Sequence, residues 1–361
     1  MIQKVEARYY RVPLVEPLFD ARHGEHSHFE LITAHVHLAD GSEGVGYTYT
    51  GGRGGRAIHQ LIAHDLAPVL VGKSATDVED LWDFMNWHVH YVGRGGVVGF
   101  AISAVDIALW DLRAKNADQP LWKLLGGDGK PVQTYAGLID LDYSLDRHRE
   151  VIGQELERGH TAIKIKIGLD DLGEDEKRIR RVREIVGAGP EFMVDANMKW
   201  DAATAIKVGK AIADLDVKWF EEPVLPDDFR AFREVGEAID IPLAQGENLH
   251  TMLEFREALA TGVLAYPQPD ASNIGGITGW LKVAEKCRKQ GAPVCSHGMQ
   301  ELHVSLLSAM PNAGYMEMHS FPIDQYTARP LGVVDGKVTP PEFSGTGVVF
   351  DWEKVESYRQ K

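Results

Sequence analysis

The chain has 361 residues, 44% apolar and 25% charged, enough for one large domain plus a smaller one and too evenly mixed to be disordered. Its formal net charge of −15 excludes a general nucleic-acid or anionic-membrane partner, since both need a basic footprint. Cys287 and Cys295 are too few for a disulfide framework, lack metal-ligand spacing and are read as packing residues; with no signal-peptide core in Met1–Pro13 and no apolar run of membrane length, the expected location is the cytoplasm.

The first 50 residues read as antiparallel strands: Ile2, Val5 and Tyr9 in one run, then Leu31 to Leu38, the turn Asp40-Gly41, and Val45 to Tyr49. Phe19 to His28 is dense in hydrogen-bonding side chains, which suits a polyhydroxylated ligand better than an aryl one; Arg22 and His23 are its candidate substrate contacts. Gly51-Gly-Arg53-Gly-Gly55 has neither Rossmann nor P-loop spacing, so it is read as a mobile element of the cap in which Arg53 meets a distal carboxylate. From Val97 to Lys115, Ala101, Ala104, Val105, Ala108 and Leu112 recur at three- and four-residue steps and predict a helix with one buried face. Beyond about residue 130 short apolar runs alternate with helical patterns. Strands are predicted at Val132–Tyr135, Ala162–Ile167, Phe192–Val194, Lys218–Phe220, Pro242–Ala244, Val263–Tyr266, Pro293–Cys295 and Tyr315–Met316. Eight such strands favour a closed barrel over an open sheet. The tail from Pro330 carries a hairpin signal at Asp335-Gly336 and the stiff pair Pro340-Pro341, and is expected to leave the barrel for the N-terminal region.

Charged residues recur at the ends of these runs, where a barrel gathers side chains that are distant in sequence. In Ile163-Lys164-Ile165-Lys166-Ile167, strand alternation points both lysines inward and the isoleucines outward. Mutual repulsion between the ammonium groups is expected to lower at least one pKa and supply a general base. Three acidic strand ends follow, at Asp195, Glu221 and Glu247. Their oxygens suit Mg²⁺, and no Cys or His accompanies them to suggest zinc. Alternation requires only that one of Glu221 and Glu222 points inward. Asp270 and His297 form a candidate dyad in which the carboxylate fixes the imidazole tautomer and raises its basicity. Ser296 is no triad nucleophile, because adjacent strand residues face opposite ways. Glu317, on the last strand, is expected to stay protonated and donate to an enolate oxygen.

In this order, the K-x-K strand, Asp195-Ala-Asn197, Glu221-Glu-Pro, Gly-Glu247-Asn, the Asp270/His297 pair, Glu317 and the Pro120-Leu-Trp-Lys-Leu-Leu-Gly junction resemble the enolase superfamily, and within it the mandelate-racemase-like group, across essentially the whole chain. The resemblance implies an α/β fold, a modified (β/α)₇β TIM barrel with an α+β capping domain. The division is then 1–127 for the cap, 128–325 for the catalytic barrel and 326–361 for a segment returning to the cap. It further implies one Mg²⁺ per subunit on Asp195, Glu221 and Glu247, with Glu221 rather than Glu222 as ligand. Lys164 would contact the substrate carboxylate, Lys166 and His297 would flank the substrate on opposite faces, and Asn197 would be a further substrate contact. A homo-oligomer acting on a small anionic carboxylate is expected. The activity so indicated is acid-sugar dehydration, converting an aldonate or aldarate to a 2-keto-3-deoxy acid. The alternatives are a racemase or epimerase of a 2-hydroxy acid, a cycloisomerase of an aldarolactone, and a relative that binds acid sugars without turnover. The last makes no use of two bases on opposite faces.

Overall fold

A computed structural model describes residues 1–360. Strands β1 (Ile2–Asp20), β2 (Gly24–Leu38) and β3 (Glu43–Thr50) form an antiparallel sheet in that order. The first hairpin is longer than the apolar pattern predicts: pairing runs from Ile2 with Leu38 to Asp20 with Gly24, through a register shift between Pro13 and Leu18. Cross-strand hydrogen bonding continues past the point where apolar alternation ends, and the polar stretch from Phe19 to His28 becomes the hairpin's tip. Helix α1 (Val97–Asn116) lies across the sheet, buried on nearly every side. Glycine permits this approach: a Cβ on Gly46 would stand 2.1 Å from the Ala104 carbonyl oxygen, and one on Gly44 as close to that of Ala108.

The second region is a parallel sheet ordered β10-β4-β5-β6-β7-β8-β9, from β4 (Val132–Gly137), β5 (Ala162–Lys166), β6 (Glu191–Asp195), β7 (Val217–Glu221), β8 (Leu243–Gln245), β9 (Leu264–Pro267) and β10 (Tyr315–His319). The strand predicted at Pro293–Cys295 is reduced to a single bridge between Val294 and Ala313. It still closes the ring, since Cys295 N–H donates to Pro267 O at 2.8 Å and Ser296 N–H to Tyr315 O at 3.0 Å. The intervening helices are α2 (Leu145–Glu157), α3 (Leu172–Val186), α4 (Ala202–Ala211), α5 (Phe229–Ala238), α6 (Met252–Ala260), α7 (Gly276–Lys289) and α8 (Gln300–Ala309).

Helices α2 to α6 each begin on a side chain that accepts from the first turn: Ser144, Asp171, Asp201, Asp228 and Thr251. Helices α7 and α8 begin instead on the left-handed residues Gly275 and Met299, with no side-chain cap. Those two loops carry Asp270 and His297, and their backbone is shaped for the site rather than for the helix start.

Strand alternation sorts the barrel residues. Ile163, Ile165, Phe192, Val194, Phe220 and Met316 join the core beneath the helices. Tyr135, Ala162, Met193, Trp219 and Ala244 fill the barrel axis as a separate apolar plug. Trp219 meets Tyr135 edge-on, with ring centroids 5.1 Å apart. The tail does not simply leave the barrel: β11 (Lys337–Val338) first pairs antiparallel with β4. It then runs back to β1, where Gln360 N–H donates to Tyr9 O at 2.8 Å and Trp352 packs on Tyr10 and His35. Both cysteines are buried and unpaired. Among the described residues no helix is long and apolar enough to cross a membrane.

Candidate active site

The charged residues stack directly above the aromatic plug. In register, Lys166 pairs with Asp195 and Asp195 with Glu221, so neighbouring strands deliver them at one level. Lys164 Nζ lies 2.5 Å from Glu221 Oε1, 2.9 Å from Glu317 Oε1 and 3.6 Å from Asp195 Oδ2. Lys166 Nζ donates to Asp195 Oδ2 at 2.5 Å. Burial pulls both lysine pKa values down, but the carboxylates outweigh it and hold both above the ordinary range. This reverses the expectation of a lowered lysine pKa, because each ammonium has a carboxylate nearer to it than the other lysine's charge. The Glu317 expectation is reversed as well. Burial raises its carboxyl, Lys164 and His297 more than offset that, and Glu317 is held in its ionised form. Gly137 makes room for it: a Cβ there would stand 2.1 Å from Glu317 Oε1.

Asp195, Glu221 and Glu247 each present an oxygen within 4.8 Å of the other two. Glu221 Oε2 accepts from Trp219 Nε1 at 2.9 Å and Gln268 Nε2 at 2.7 Å, which fixes its rotamer. Glu247 Oε2 is buried without a hydrogen-bond partner, although His297 Nε2 lies 3.1 Å away. An orphaned carboxylate oxygen in an all-oxygen donor set fits a hard divalent cation. Burial, opposed by Lys164, pushes the Glu221 carboxyl up to about 7. Glu222, at φ 39°, turns away and accepts from Asn248 Nδ2.

Across the cavity, His297 Nδ1 lies 2.9 Å from Asp270 Oδ2, and Asp270 Oδ1 accepts from Ser272 N–H at 2.7 Å. Burial lowers the imidazole pKa, but Glu247, Glu317 and Asp270 together lift it to about 10. Tyr49, from the cap, donates to the same Asp270 Oδ2 at 2.9 Å. Ser296 Oγ is buried without a partner and makes no bond to His297.

The cavity, about 460 Å³, is lined by Lys166, Asn197, Glu247, Asp270, His297 and His319 from the barrel. On the cap side it is lined by His23, His26, Arg53, Ile58, Val97 and Phe100. Lys164, Asp195, Glu221 and Glu317 are buried and do not line it; Asp195 is bound to the lining residue Lys166, and Glu317 lies 3.8 Å from His297 Nε2. Arg22 is exposed and does not line the cavity. The hairpin's polar groups are largely spent on each other: Asp20 accepts from the backbone of Arg22 and His23 and from the rings of His23 and His26. The glycine run is tied at both stems, since Thr50 Oγ1 and Gly55 N–H each donate to buried Glu30 Oε2 at 2.7 Å. Sequence reasoning missed Tyr49 and His319. His319 was findable, because it sits two residues after Glu317 on the same strand face; Tyr49, on a cap strand, carries no local signal.

Residues 4–126 match the model of the mandelate racemase / muconate lactonizing enzyme N-terminal domain, and residues 148–355 the enolase C-terminal domain-like model. The chain belongs to the enolase superfamily, in the mandelate racemase and muconate lactonizing enzyme group. It is 44% identical over 359 residues to a 3,6-anhydro-α-L-galactonate cycloisomerase of Streptomyces coelicolor, covering 98% of both chains. It is 34% identical to the L-talarate/galactarate dehydratase of Salmonella typhimurium, over 85% of this chain and 78% of that protein. A crystal structure of a Streptomyces coelicolor racemase with bound magnesium superposes with a TM-score of 0.97 at 42% identity, covering all of both chains.

Proposed function

We propose that this protein is an Mg²⁺-dependent enzyme that removes the proton α to the carboxylate of an acid sugar and expels the oxygen on the β-carbon. The observation that carries the reading is one cavity lined by both Lys166 and the Asp270-bound His297, next to an all-oxygen carboxylate triad. Asp195, Glu221 and Glu247 would hold the cation, which supplies Lewis-acid stabilisation of the carboxylate as it gains charge. Asp195 and Glu221 are also the ion-pair partners of Lys166 and Lys164, so the carboxylates that would hold the cation are the ones that set the charge of the lysines.

The α-proton is weakly acidic because its removal adds charge to an anion, so the enediolate needs donors in place beforehand. Lys164 is buried and held in place by Glu221 and Glu317 to provide one. Of Lys166 and His297, one takes the α-proton and the other returns a proton to the departing oxygen; the configuration at the α-carbon selects which. The resulting enol tautomerises to a 2-keto-3-deoxy acid. When the β-oxygen is a hydroxyl, water is lost and the enzyme is a dehydratase. When it is the ether oxygen of a 3,6-anhydro ring, the C3–O bond breaks, the ring opens and the product is an isomer of the substrate. The same residues therefore serve a lyase and an isomerase.

We favour the ring-opening reaction. The cycloisomerase relative matches over the whole chain, and Ile58, Val97 and Phe100 on the cap side suit a compact anhydro ring better than a fully hydroxylated chain. Dehydration of an aldonate or aldarate is the second reading, supported by the dehydratase relative. Proton NMR and mass spectrometry in D₂O with Mg²⁺ separate them, using 3,6-anhydro-L-galactonate, galactarate, L-talarate and galactonate. From the anhydro acid, a 2-keto-3-deoxy product isomeric with it apart from solvent deuterium, carried at C3, is expected. A product lighter by one water from the open-chain acids alone would make the enzyme a dehydratase. Deuterium at C2 with the carbon chain intact would make it a racemase or epimerase, and saturable binding without turnover a non-catalytic binder.

A further inference from the structure

Strand alternation on β10 turns Tyr315, Glu317 and His319 toward the barrel axis and Met316 toward the helices, so His319 stands at the rim one step above Glu317. It lines the cavity, its ring edge-on to His297 at 5.1 Å between centroids and to Phe321 at 4.8 Å. A ring nitrogen of each histidine and a carboxylate oxygen of Glu317 lie within 4.8 Å of one another.

The hydrogen bonding of this ring settles its tautomer. Phe321 N–H donates to His319 Nδ1 at 3.0 Å, and a nitrogen that accepts an N–H carries no proton. The neutral ring therefore carries its hydrogen on Nε2. Burial reinforces neutrality, pushing the imidazole down to about 3 against the opposing pull of Glu317. No side-chain or backbone acceptor among the described residues takes the Nε2 hydrogen. The cavity thus holds an N–H donor of fixed direction, clamped between two rings beside the proposed acid/base pair and unsatisfied by the protein. A ligand oxygen placed there would replace the cavity solvent that otherwise accepts this hydrogen.

We infer that His319 is a substrate-contacting residue whose Nε2–H donates to a hydroxyl or ring-ether oxygen of the acid sugar beyond C2. This rests on the acid-sugar reading of the cavity. It makes His319 a specificity device, because a site built around a fixed donor discriminates against analogues that lack the matching oxygen.

The test pairs two ligands with three proteins. Binding of galactonate and of 2-hydroxyhexanoate, which keeps the carboxylate and the C2 hydroxyl but no oxygen beyond them, is measured by calorimetry with Mg²⁺ on the wild type, His319→Leu and His319→Gln. His319→Leu should weaken galactonate about 10- to 100-fold and leave 2-hydroxyhexanoate within about threefold of wild type. His319→Gln, which keeps an amide N–H near the Nε2 position, should recover most of the galactonate affinity. Equal losses on both ligands, or none on either, would overturn the inference. Imidazole ¹⁵N NMR of the wild type is independent of whether the leucine variant folds. An Nε2–H resonance of His319 that shifts on galactonate binding is expected, and a proton on Nδ1 or an unmoved resonance would sink the proposal. The two readings fail separately. If the wild type turns over no acid sugar yet His319→Leu selectively loses galactonate, the elimination chemistry falls and His319 stands. Turnover with a neutral His319→Leu leaves the chemistry standing alone.

Discussion

The two halves of the cavity wall are built differently. On the barrel side Lys164, Lys166, Asp195, Glu221 and Glu317 are at most 5% exposed, and each charge is paired at close range with a group one or two strands along the barrel. On the cap side Ile58, Val97 and Phe100 stand with His23 and Arg53, which reach out of a hairpin tip and a glycine run. Charge in the barrel is costly to bury and is held only because partners are in place. The cap side sets those apolar side chains beside a polar cluster in which Asp20 accepts from the rings of His23 and His26. Acid/base chemistry belongs to the barrel half, and substrate selection is shared between the cap wall and His319 on the barrel rim.

Chelation of divalent cations should have the largest effect, because it disables the barrel half whatever the cap does. Activity should disappear with EDTA and return with Mg²⁺. Adding Mg²⁺ at a hundred times its Kd should stabilise the fold by about 2.7 kcal/mol in calorimetric or denaturant melts, an effect that Glu221→Gln should largely remove. Lys166→Ala and His297→Asn should each lower kcat by about 10²- to 10⁴-fold with Mg²⁺ binding retained, as stopped-assay kinetics and metal titration would show. A mild effect of either would mean that the base lies elsewhere. Gly46→Ala acts on the cap alone: its Cβ meets α1 backbone at 2.1 Å, so a loss of about 1 to 3 kcal/mol or more is expected in urea unfolding. Tyr49→Phe sharpens the boundary, since Tyr49 is the cap residue that touches the dyad. About a tenfold fall in kcat with little change in KM is expected, because one of the hydrogen bonds to Asp270 is lost while the His297 contact remains. Arg53→Ala should be the gentlest, a severalfold rise in KM for substrates with a distal carboxylate and none for the anhydro acid.

Much of the site was legible because strand ends have a simple grammar. A carboxylate or lysine closing a short apolar run, repeated once per strand-plus-helix unit, predicts convergence without any coordinates, and the lysines, the acidic triad, Asp270, His297 and Glu317 were all found this way. The missing pieces have identifiable causes. The strand at Val294 shrank to a bridge because the loop around His297 bends to serve the site rather than extend the sheet. Charge states were misjudged for Lys166 and Glu317 because sequence distance says nothing about which opposite charge comes nearest. Arg22, a candidate substrate contact by residue type alone, faces out because Asp20 turns the hairpin so that His23 and His26 face inward.

Parallel strands alternating with helices, lysines on one strand face, carboxylates at successive strand ends and a dyad two strands later all follow from periodicity and residue type. Contacts between segments far apart in the chain follow from neither and emerge with the folded chain. Tyr49 reaches Asp270 across 221 residues, His319 takes its tautomer from the turn to Phe321, and Ile58, Val97 and Phe100 come to line the cavity beside His23 and His26 of the polar hairpin. The reason is physical. Side-chain direction along a strand is set locally by the backbone, whereas pairing of charges and donors is set by whichever groups folding brings within about 3 Å.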